Sequence, residues 1–220
     1  MYVETIMTTE VLTVEEGTRM SHLAGLMQAR RIRHMPVVDG DGALKGIISH
    51  RDVQKASPSD ITTLSTGEVN YLLSQLTAKD IMHRSVTTCT PDTLVEDAAC
   101  LMREQTIGCL PVVKEGKLVG ILTGVDLLDF FLDITGCRSK DASRICIRLE
   151  DRQGVLSKLL GCLSELGGYV VSVMTPQNQS PGVGLERQVI VRYRADNPRE
   201  LNRQLQERGY ELLSAELPEG

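Results

Sequence analysis

Two short segments pair a hydroxyl side chain with a carboxylate three residues later. Ser49 and Asp52 lie in GIISHRD, and Thr123 and Asp126 lie in GILTGVD. A carboxylate can accept hydrogen bonds from two hydroxyl groups at once, and a Ser or Thr hydroxyl beside the free amides of a helix start suits a phosphate. The alternative is structural, because Asp is also a good helix N-cap. Both interpretations predict a helix that starts at each aspartate.

The two segments belong to an internal repeat that covers most of the first 130 or so residues. Matching pairs recur at an offset of 75 residues, and a one-residue deletion in a turn shifts the later pairs to 74. The pairs are Ile6-Met7 with Ile81-Met82, Thr13 with Thr88, Leu26-Met27 with Leu101-Met102, Pro36–Val38 with Pro111–Val113, Gly46 with Gly120, and Asp52 with Asp126. So many matches at one register predict two copies of one structural unit.

Each copy predicts the order β-α-β-β-α. A short extended segment, Val11–Val14 or Val86–Cys89, precedes a polar turn, and Thr18 or Thr93 is expected to cap the helix that follows. A Gly-containing turn then joins two strands as a hairpin. The first helix is expected to bury an apolar stripe: Met20, Leu23, Ala24 and Met27 in one copy, and Leu94, Ala98 and Leu101 in the other.

A unit of this size is too small to be stable alone, so the two copies are expected to pack together. The predicted boundaries are 1–56 for the first copy and 78–135 for the second. Between them, 57–77 is interpreted as a polar linker followed by a short amphipathic packing helix. From 145 to 218 the pattern changes to β-α-β-β-α-β, a ferredoxin-like order. The expected fold class is therefore α+β.

The repeats resemble CBS domains, because both segments fit the pattern G-h-x-[S/T]-x-x-D of that family, where h is an apolar residue. A tandem CBS pair, or Bateman module, implies that AMP, ADP, ATP or S-adenosylmethionine binds in the cleft between the copies. By this resemblance one cleft uses Gly46, Ser49 and Asp52 with Thr88, Gly108, Cys109 and Leu110. The mirror cleft uses Gly120, Thr123 and Asp126 with Thr13, Arg33, His34 and Met35.

The copies differ in charge at the strand that leads into the cleft. RIRHMPV carries Arg33 and His34, whereas the second copy reads TIGCLPV without a basic residue. This difference favours a single phosphate-bearing ligand beside Arg33 and His34, and a ligand stoichiometry nearer one than two per chain. The alternative is that these two side chains are solvated or form ion pairs.

The turn DRQG at the start of the last domain resembles the D-R-P-G turn of ACT domains. This resemblance implies a dimerisation module, with Asp151, Gln153 and Gly154 as a possible amino-acid effector site. Gln153 replaces the usual Pro, and Tyr169 stands where ligand-binding members often carry Asn, so assembly is the favoured role. The order CBS–CBS–ACT resembles acetoin-utilisation proteins of the AcuB type.

Composition narrows the classes further. The net charge is −5 and the chain has no Lys/Arg-rich run, which argues against nucleic-acid binding. No apolar stretch approaches the roughly 20 residues of a membrane span, and the N-terminus lacks the features of a signal peptide. The six cysteines show no C-x-x-C pair. We therefore expect a cytoplasmic protein with reduced thiols, a structural disulfide being the alternative.

Nothing in the sequence predicts an active site. The four histidines, at positions 22, 34, 50 and 83, form no metal-binding pair, and neither a phosphate-binding loop nor a nucleophile elbow is present. We expect a regulatory homodimer or larger homo-oligomer, joined through CBS and ACT faces, that has no catalytic cofactor and acts on an unknown protein partner. The alternatives are a constitutive structural adaptor with degenerate clefts and an unrecognised enzyme.

Overall fold

The computed structural model describes residues 1–56, 75–176 and 186–218. The chain divides into two compact units, Met1–Leu128 and Asp129–Gly220. Most of the predicted linker and packing helix at 57–77 lies outside the described residues.

The N-terminal unit contains the two repeats, each built around a helix, a β-hairpin and a second helix. The predicted first strand of each copy is reduced to one parallel bridge, Val14 with Val37 and Cys89 with Val112. The elements of the first repeat are a 3₁₀ helix Val3–Thr5, α1 Met20–Arg30, β1 His34–Val38, β2 Leu44–Ser49 and α2 His50–Ala56. Those of the second are α3 Ala78–Ile81, α4 Val95–Glu104, β3 Cys109–Lys114, β4 Lys117–Thr123 and α5 Gly124–Ile134, whose residues after Leu128 belong to the C-terminal unit.

The predicted helix stripe is confirmed in the first repeat, and in the second it is confirmed at Ala98 and Leu101 and wrong at Leu94. In α1 the side chains of Met20, Leu23 and Met27 are buried. In α4 Leu94 is 37% exposed and stands at the N-cap, while Val95 takes the core position at 2% exposure. Val95, not Leu94, is the residue that lies 75 positions after Met20.

The expected threonine caps are also wrong, since Arg19 and Leu94 occupy the two N-cap positions and neither makes a side-chain cap bond. The hydroxyl of Thr93 instead accepts a hydrogen bond from the amide of Thr90 at 3.0 Å. This bond closes the polar turn one residue earlier. Hydroxyl side chains stabilise turns and helix caps by the same kind of bond to the backbone, so sequence alone does not separate the two.

Both hairpins form as predicted, with turn chemistry that suits them. In the first, the Asp39 carboxylate accepts hydrogen bonds from the amides of Asp41 and Ala43 at 3.1 and 2.8 Å. In the second, Glu115 and Gly116 both have positive φ, 51° and 79°. Two successive positive φ values characterise the type I′ turn, whose twist matches that of the strands it joins.

Each repeat lends its first residues to the other repeat. Thr8 forms an antiparallel bridge with Ile121 of β4, and His83 forms the equivalent bridge with Ile47 of β2. Each bridge contains two backbone hydrogen bonds of 2.9–3.0 Å. This exchange ties the two copies into one unit.

The C-terminal unit is a four-stranded antiparallel sheet with the order β6-β7-β5-β8. The chain order β-α-β-β-α-β is the one predicted for 145–218. Its elements are β5 Ser143–Glu150, α6 Val155–Glu165, β6 Tyr169–Met174, β7 Glu186–Arg194, α7 Pro198–Glu207 and β8 Glu211–Glu216.

The ends of the two helices show why this order folds. Gly167, with φ of 79°, follows α6 and closes its last turn, as a glycine C-cap should. Asn197 caps α7 by accepting a hydrogen bond from the amide of Glu200 at 3.2 Å, and Pro198 follows it at the first turn. Both helices then bury one face on the sheet, where Leu159, Leu163, Tyr193, Leu201 and Leu205 are at most 3% exposed.

All six cysteines are free thiols, four of them buried. The buried thiols of Cys89, Cys109, Cys146 and Cys162 pack as small apolar groups. Within the described ranges, no helix has the length and apolar character needed to span a bilayer.

Candidate functional site

The glycines of the repeated motif stand where the exchanged segments cross β2 and β4. A Cβ atom on Gly46 would lie 2.7 Å from Sδ of Met82 and 2.9 Å from the carbonyl oxygen of His83. A Cβ on Gly120 would lie 2.5 Å from Sδ of Met7 and 3.2 Å from the carbonyl oxygen of Thr8. Glycine is therefore required by packing, and it brings the residues after Met7 and Met82 to the end of the opposite hairpin.

Ser49 and Asp52 form a reciprocal cap at the start of α2. The amide and the hydroxyl of Ser49 both donate to Oδ2 of Asp52, at 2.8 and 2.6 Å. The amide of Asp52 lies 3.3 Å from the Ser49 hydroxyl oxygen, which accepts from it. This is the capping-box arrangement, so the expectation that Asp52 helps to cap the helix is confirmed. The cap uses Oδ2 and leaves Oδ1 for other partners.

Thr123 and Asp126 repeat this geometry at the start of α5. The amide and hydroxyl of Thr123 each donate to Oδ2 of Asp126 at 2.6 Å. The predicted helix starts were late, since α2 begins at His50 and α5 at Gly124, and each aspartate is the third helical residue. The two carboxylates are thus held in equivalent orientations by equivalent bonds.

The outer oxygens of the two carboxylates meet different residues. Nε2 of His83 lies 2.9 Å from Oδ1 of Asp52. At the equivalent position of the other copy, the hydroxyl of Thr8 lies 3.5 Å from Oδ1 of Asp126. Asp52 is well covered, with its side chain 12% exposed, whereas that of His83 is 66% exposed.

Burial and hydrogen bonding act in opposite directions on the pKa of Asp52. Burial alone would raise this pKa, but the hydrogen bonds from Ser49 and His83 outweigh it, so the pKa lies below its ordinary value of 3.8. The carboxylate is therefore fully ionised at neutral pH. An ionised carboxylate only accepts hydrogen bonds, which makes Nε2 of His83 the donor.

Arg33, just before β1, and His34, the first residue of β1, lie in different environments. Arg33 is exposed and His34 is half-buried. The His34 ring lies against the second repeat, since a Cβ on Gly108 would be 3.0 Å from its Cε1. Burial, and then the charge of Arg33, lowers the pKa of His34 below 6.5. His34 is therefore neutral at physiological pH, and Arg33 is the permanent positive charge at this end of the hairpin.

Other residues predicted for the clefts enter the structure in three ways. Met35 and Leu110 are fully buried in the cores of their own repeats, so only their backbone groups could face a ligand. Cys109 is also buried, and desolvation raises the pKa of its thiol to about 12. Thr13 is half-buried and Thr88 is exposed. Within the described parts of the chain, neither threonine donates to the two aspartates.

The turn predicted as an effector site in the C-terminal unit is open. Asp151, Gln153 and Gly154 are all exposed, and Gly154 adopts a positive φ of 86° at the N-cap of α6. Oδ1 of Asp151 lies 3.6 Å from a guanidinium nitrogen of Arg187. The turn and Arg187 thus lie side by side, and Tyr169 is 67% exposed.

The sequence interpretation did not include Thr8 and His83 in the site. Both follow the Ile-Met pair of their repeat, and they correspond at the offset of 75. A comparison of the two copies for positions that differ in chemistry would have found them. Over the described ranges, His, Cys, Asp and Glu side chains form no group of three or more that could hold a metal ion.

Residues 3–59 and 78–133 match the family model described as CBS domain. The chain is 33% identical over 133 residues to a CBS domain-containing protein of Dictyostelium discoideum, a match that covers 60% of this chain and 92% of the relative. It is 34% identical over 123 residues to the homoserine O-acetyltransferase of Methanococcoides burtonii, but this match covers only 22% of that enzyme.

Many solved structures are similar to this chain, including the following three. A putative acetoin utilization protein (AcuB) from Vibrio cholerae is 31% identical, with a TM-score of 0.54. The match covers 64% of this chain and 96% of the other. CBSX2 in complex with AMP is 28% identical, with a TM-score of 0.52 and coverage of 61% and 98%. The CBS domain pair of protein MJ0100, in complex with 5′-methylthioadenosine and S-adenosyl-L-methionine, is 28% identical, with a TM-score of 0.50 and coverage of 60% and 99%.

Proposed function

The chain belongs to the CBS-domain family, and we propose that it is a regulatory sensor that binds an adenosyl ligand between its two repeats. The observation that carries the proposal is the pair of equivalent carboxylates, Asp52 and Asp126, each held at a helix start with one oxygen turned to the exchanged segment of the other repeat. Similar CBS pairs have been solved with AMP and with S-adenosylmethionine.

The local chemistry fits the parts of such a ligand. Oδ1 of each aspartate can accept a ribose hydroxyl hydrogen, as acidic residues do in dinucleotide-binding folds. The backbone at Met35 or Leu110 can offer its polar groups to the adenine edge. Arg33 supplies a permanent charge for a phosphate. The ligand class we propose is therefore AMP, ADP, ATP or S-adenosylmethionine, as a regulatory ligand without a catalytic role.

Regulation would follow from a difference in affinity. A ligand shifts an equilibrium between two arrangements only if it binds one of them better. We propose that the responding equilibrium is self-association or binding to a separate protein partner. α5 carries an apolar stripe suited to a second copy, with Val125, Leu128, Phe131 and Ile134 each 50–66% exposed.

We propose an assembly role for the C-terminal unit, as an ACT-like module. Its sheet has β8 at an edge, with Leu213 and Leu217 more than a third exposed. The exposed turn at Asp151–Gly154 is the place for an amino-acid effector if the unit binds one. The six free thiols fit the reducing conditions of the cytoplasm, where we place the protein.

The test is calorimetric titration of the purified full chain with AMP, ATP and S-adenosylmethionine. We expect binding to the wild type, and loss of it when Asp52 and Asp126 are both replaced by Ala. Asp80→Ala is a matched control, because Asp80 makes the same cap with Thr77, at 2.7 and 2.8 Å, away from the motif. The control should lose stability without losing affinity.

Two outcomes would overturn the sensor proposal. One is unchanged affinity in the Asp52/Asp126 double variant. The other is the absence of any heat or thermal shift with all three ligands, which would favour a constitutive adaptor with degenerate clefts. Light scattering of the same samples, with and without ligand, checks whether ligand binding changes the oligomeric state.

A further inference from the structure

We propose that His83 occupies the ribose-binding oxygen of Asp52, so that the two clefts fill in order and the Asp126 cleft fills first. This inference rests on the proposed function, because it takes the two aspartates as ligand-binding groups. It assigns His83 a role as the residue that sets the affinity of one cleft. Its reciprocal partner is Thr8, 75 positions earlier.

The two carboxylates differ in how their oxygens are occupied. Both oxygens of Asp52 accept hydrogen bonds, Oδ2 from Ser49 and Oδ1 from His83 at 2.9 Å. For Asp126, Oδ2 accepts equivalent bonds from Thr123. Among the described residues, the partner of its Oδ1 is Thr8, at 3.5 Å, the outer limit of a hydrogen bond. An incoming hydroxyl must displace His83 from one carboxylate and almost nothing from the other.

His83 is held in place by its backbone. Its backbone exchanges two hydrogen bonds of 2.9 Å with Ile47, and Gly46 beside it leaves room for the Met82 side chain. The backbone that carries the imidazole is therefore paired with Ile47, which lies five residues before Asp52 in the sequence. Thr8 has the same backbone pairing with Ile121, so the two copies differ in the side chain and not in the frame.

The two copies also differ in charge, at the equivalent positions 33 and 108. By the resemblance to CBS domains, Arg33 belongs to the Asp126 cleft, and Gly108 stands at the corresponding position of the Asp52 cleft. Under that assignment the charge of Arg33 lies in the cleft whose carboxylate Oδ1 has only the 3.5 Å contact to Thr8. The assignment therefore favours the same order of filling.

The experiment first leaves a single cleft intact and then changes the residue beside its aspartate, His83 or Thr8, which we call the gate. In an Asp126→Ala background only the Asp52 cleft remains, and His83→Thr should raise its affinity for AMP about two- to fivefold, the range expected for an exposed bond to a carboxylate. In an Asp52→Ala background, Thr8→His should weaken AMP binding by a similar factor. His83→Ala serves as a second gate variant. Melting temperatures confirm that each variant is folded.

A spectroscopic signal gives a second, independent measurement. In the wild type the ring proton resonances of His83 should stay unchanged through the first equivalent of AMP and shift during the second. Movement of these resonances in the first step would overturn the order proposed here.

The outcomes separate this inference from the proposed function. If AMP and S-adenosylmethionine bind to the wild type, but His83→Thr and His83→Ala leave the Asp52 cleft unchanged, the gate is wrong and the sensor stands. If neither ligand binds to the wild type or to any variant, both proposals fall. Equal affinities of the two clefts in the wild type would also contradict the gate.

Discussion

The two repeats of the N-terminal unit use the same frame with different side chains at the points where they meet. In the first copy Asp52 lies beside the imidazole of His83, whereas in the second copy Asp126 lies beside the hydroxyl of Thr8. Where one offers Arg33, the other offers Gly108. The frame depends on glycines and backbone pairing, which are common to both copies. The comparison teaches that the copies share their backbone pairing and differ in the side chains beside the two aspartates.

The largest test of the shared frame is the pair of crossing glycines. Gly46→Ala should cost about 2–3 kcal/mol, because the new methyl group meets the backbone oxygen of His83, which cannot move without breaking its strand pairing. Gly120→Ala should cost about 1 kcal/mol, because its closest contact is a flexible methionine end and the carbonyl oxygen of Thr8 is farther away.

Urea unfolding of the full-length variants measures both costs. Gly25→Ala is the control, since Gly25 lies in α1 with open space around it; this change should stabilise the chain by about 0.5–1 kcal/mol. Equal losses at Gly46 and Gly120 would show that the two crossings are alike and remove this difference between the copies.

The aspartates test the asymmetry through pH. Either Asp→Ala change should cost about 1 kcal/mol as a lost helix cap, with a further fraction of that at Asp52 from the His83 bond. Because the folded-state pKa of Asp52 is depressed, its contribution is present above the ordinary value of 3.8 and is lost as pH falls through the folded value.

The measurement is the difference in stability between wild type and Asp52→Ala, followed from pH 7 down to about pH 3. The difference should narrow below about pH 4 as the carboxylate is protonated. A gap that stays constant across this window would mean that the depressed pKa does not contribute to folding.

The smallest expected effect concerns the residues that end α1 and α4. Arg31 and Thr106 both have left-handed backbones, with φ of 54° and 56°. A β-branched residue is more strained there than an unbranched one, so Thr106→Gly should stabilise the chain by about 0.5–1 kcal/mol. Arg31→Gly should be close to neutral, because relief of strain is offset by the flexibility of glycine in the unfolded chain. Differential scanning calorimetry would detect a reversed ranking.

Much of the frame could be predicted because it is local. Hairpins, turns and helix stripes follow from a few adjacent residues, and the internal repeat supplied a check on each of them. The errors were local too: hydroxyls at Thr18 and Thr93 fit a cap and a turn equally well. The stripe of α4 was placed at Leu94 because apolar spacing alone does not separate two adjacent apolar residues, Leu94 and Val95.

The site was predicted less completely, because its defining contacts join distant parts of the chain. The Ser/Thr–Asp pairs could be read from spacing, but the approach of His83 to Asp52 depends on exchange between repeats. Spacing along the sequence carries no signal for such a contact. Met35 and Leu110 were expected near the ligand, and the structure shows their side chains in the core.

The exchange of segments has a consequence for how the chain acquires its fold. Thr8 is synthesised more than a hundred residues before its bridge partner Ile121. The backbone pairing of Thr8 therefore waits until the second repeat has been made. Contacts of such long sequence separation slow folding, since the loop must close before the pairing stabilises it. We expect the N-terminal unit to fold in one cooperative step after both repeats have been synthesised. Neither repeat should fold alone.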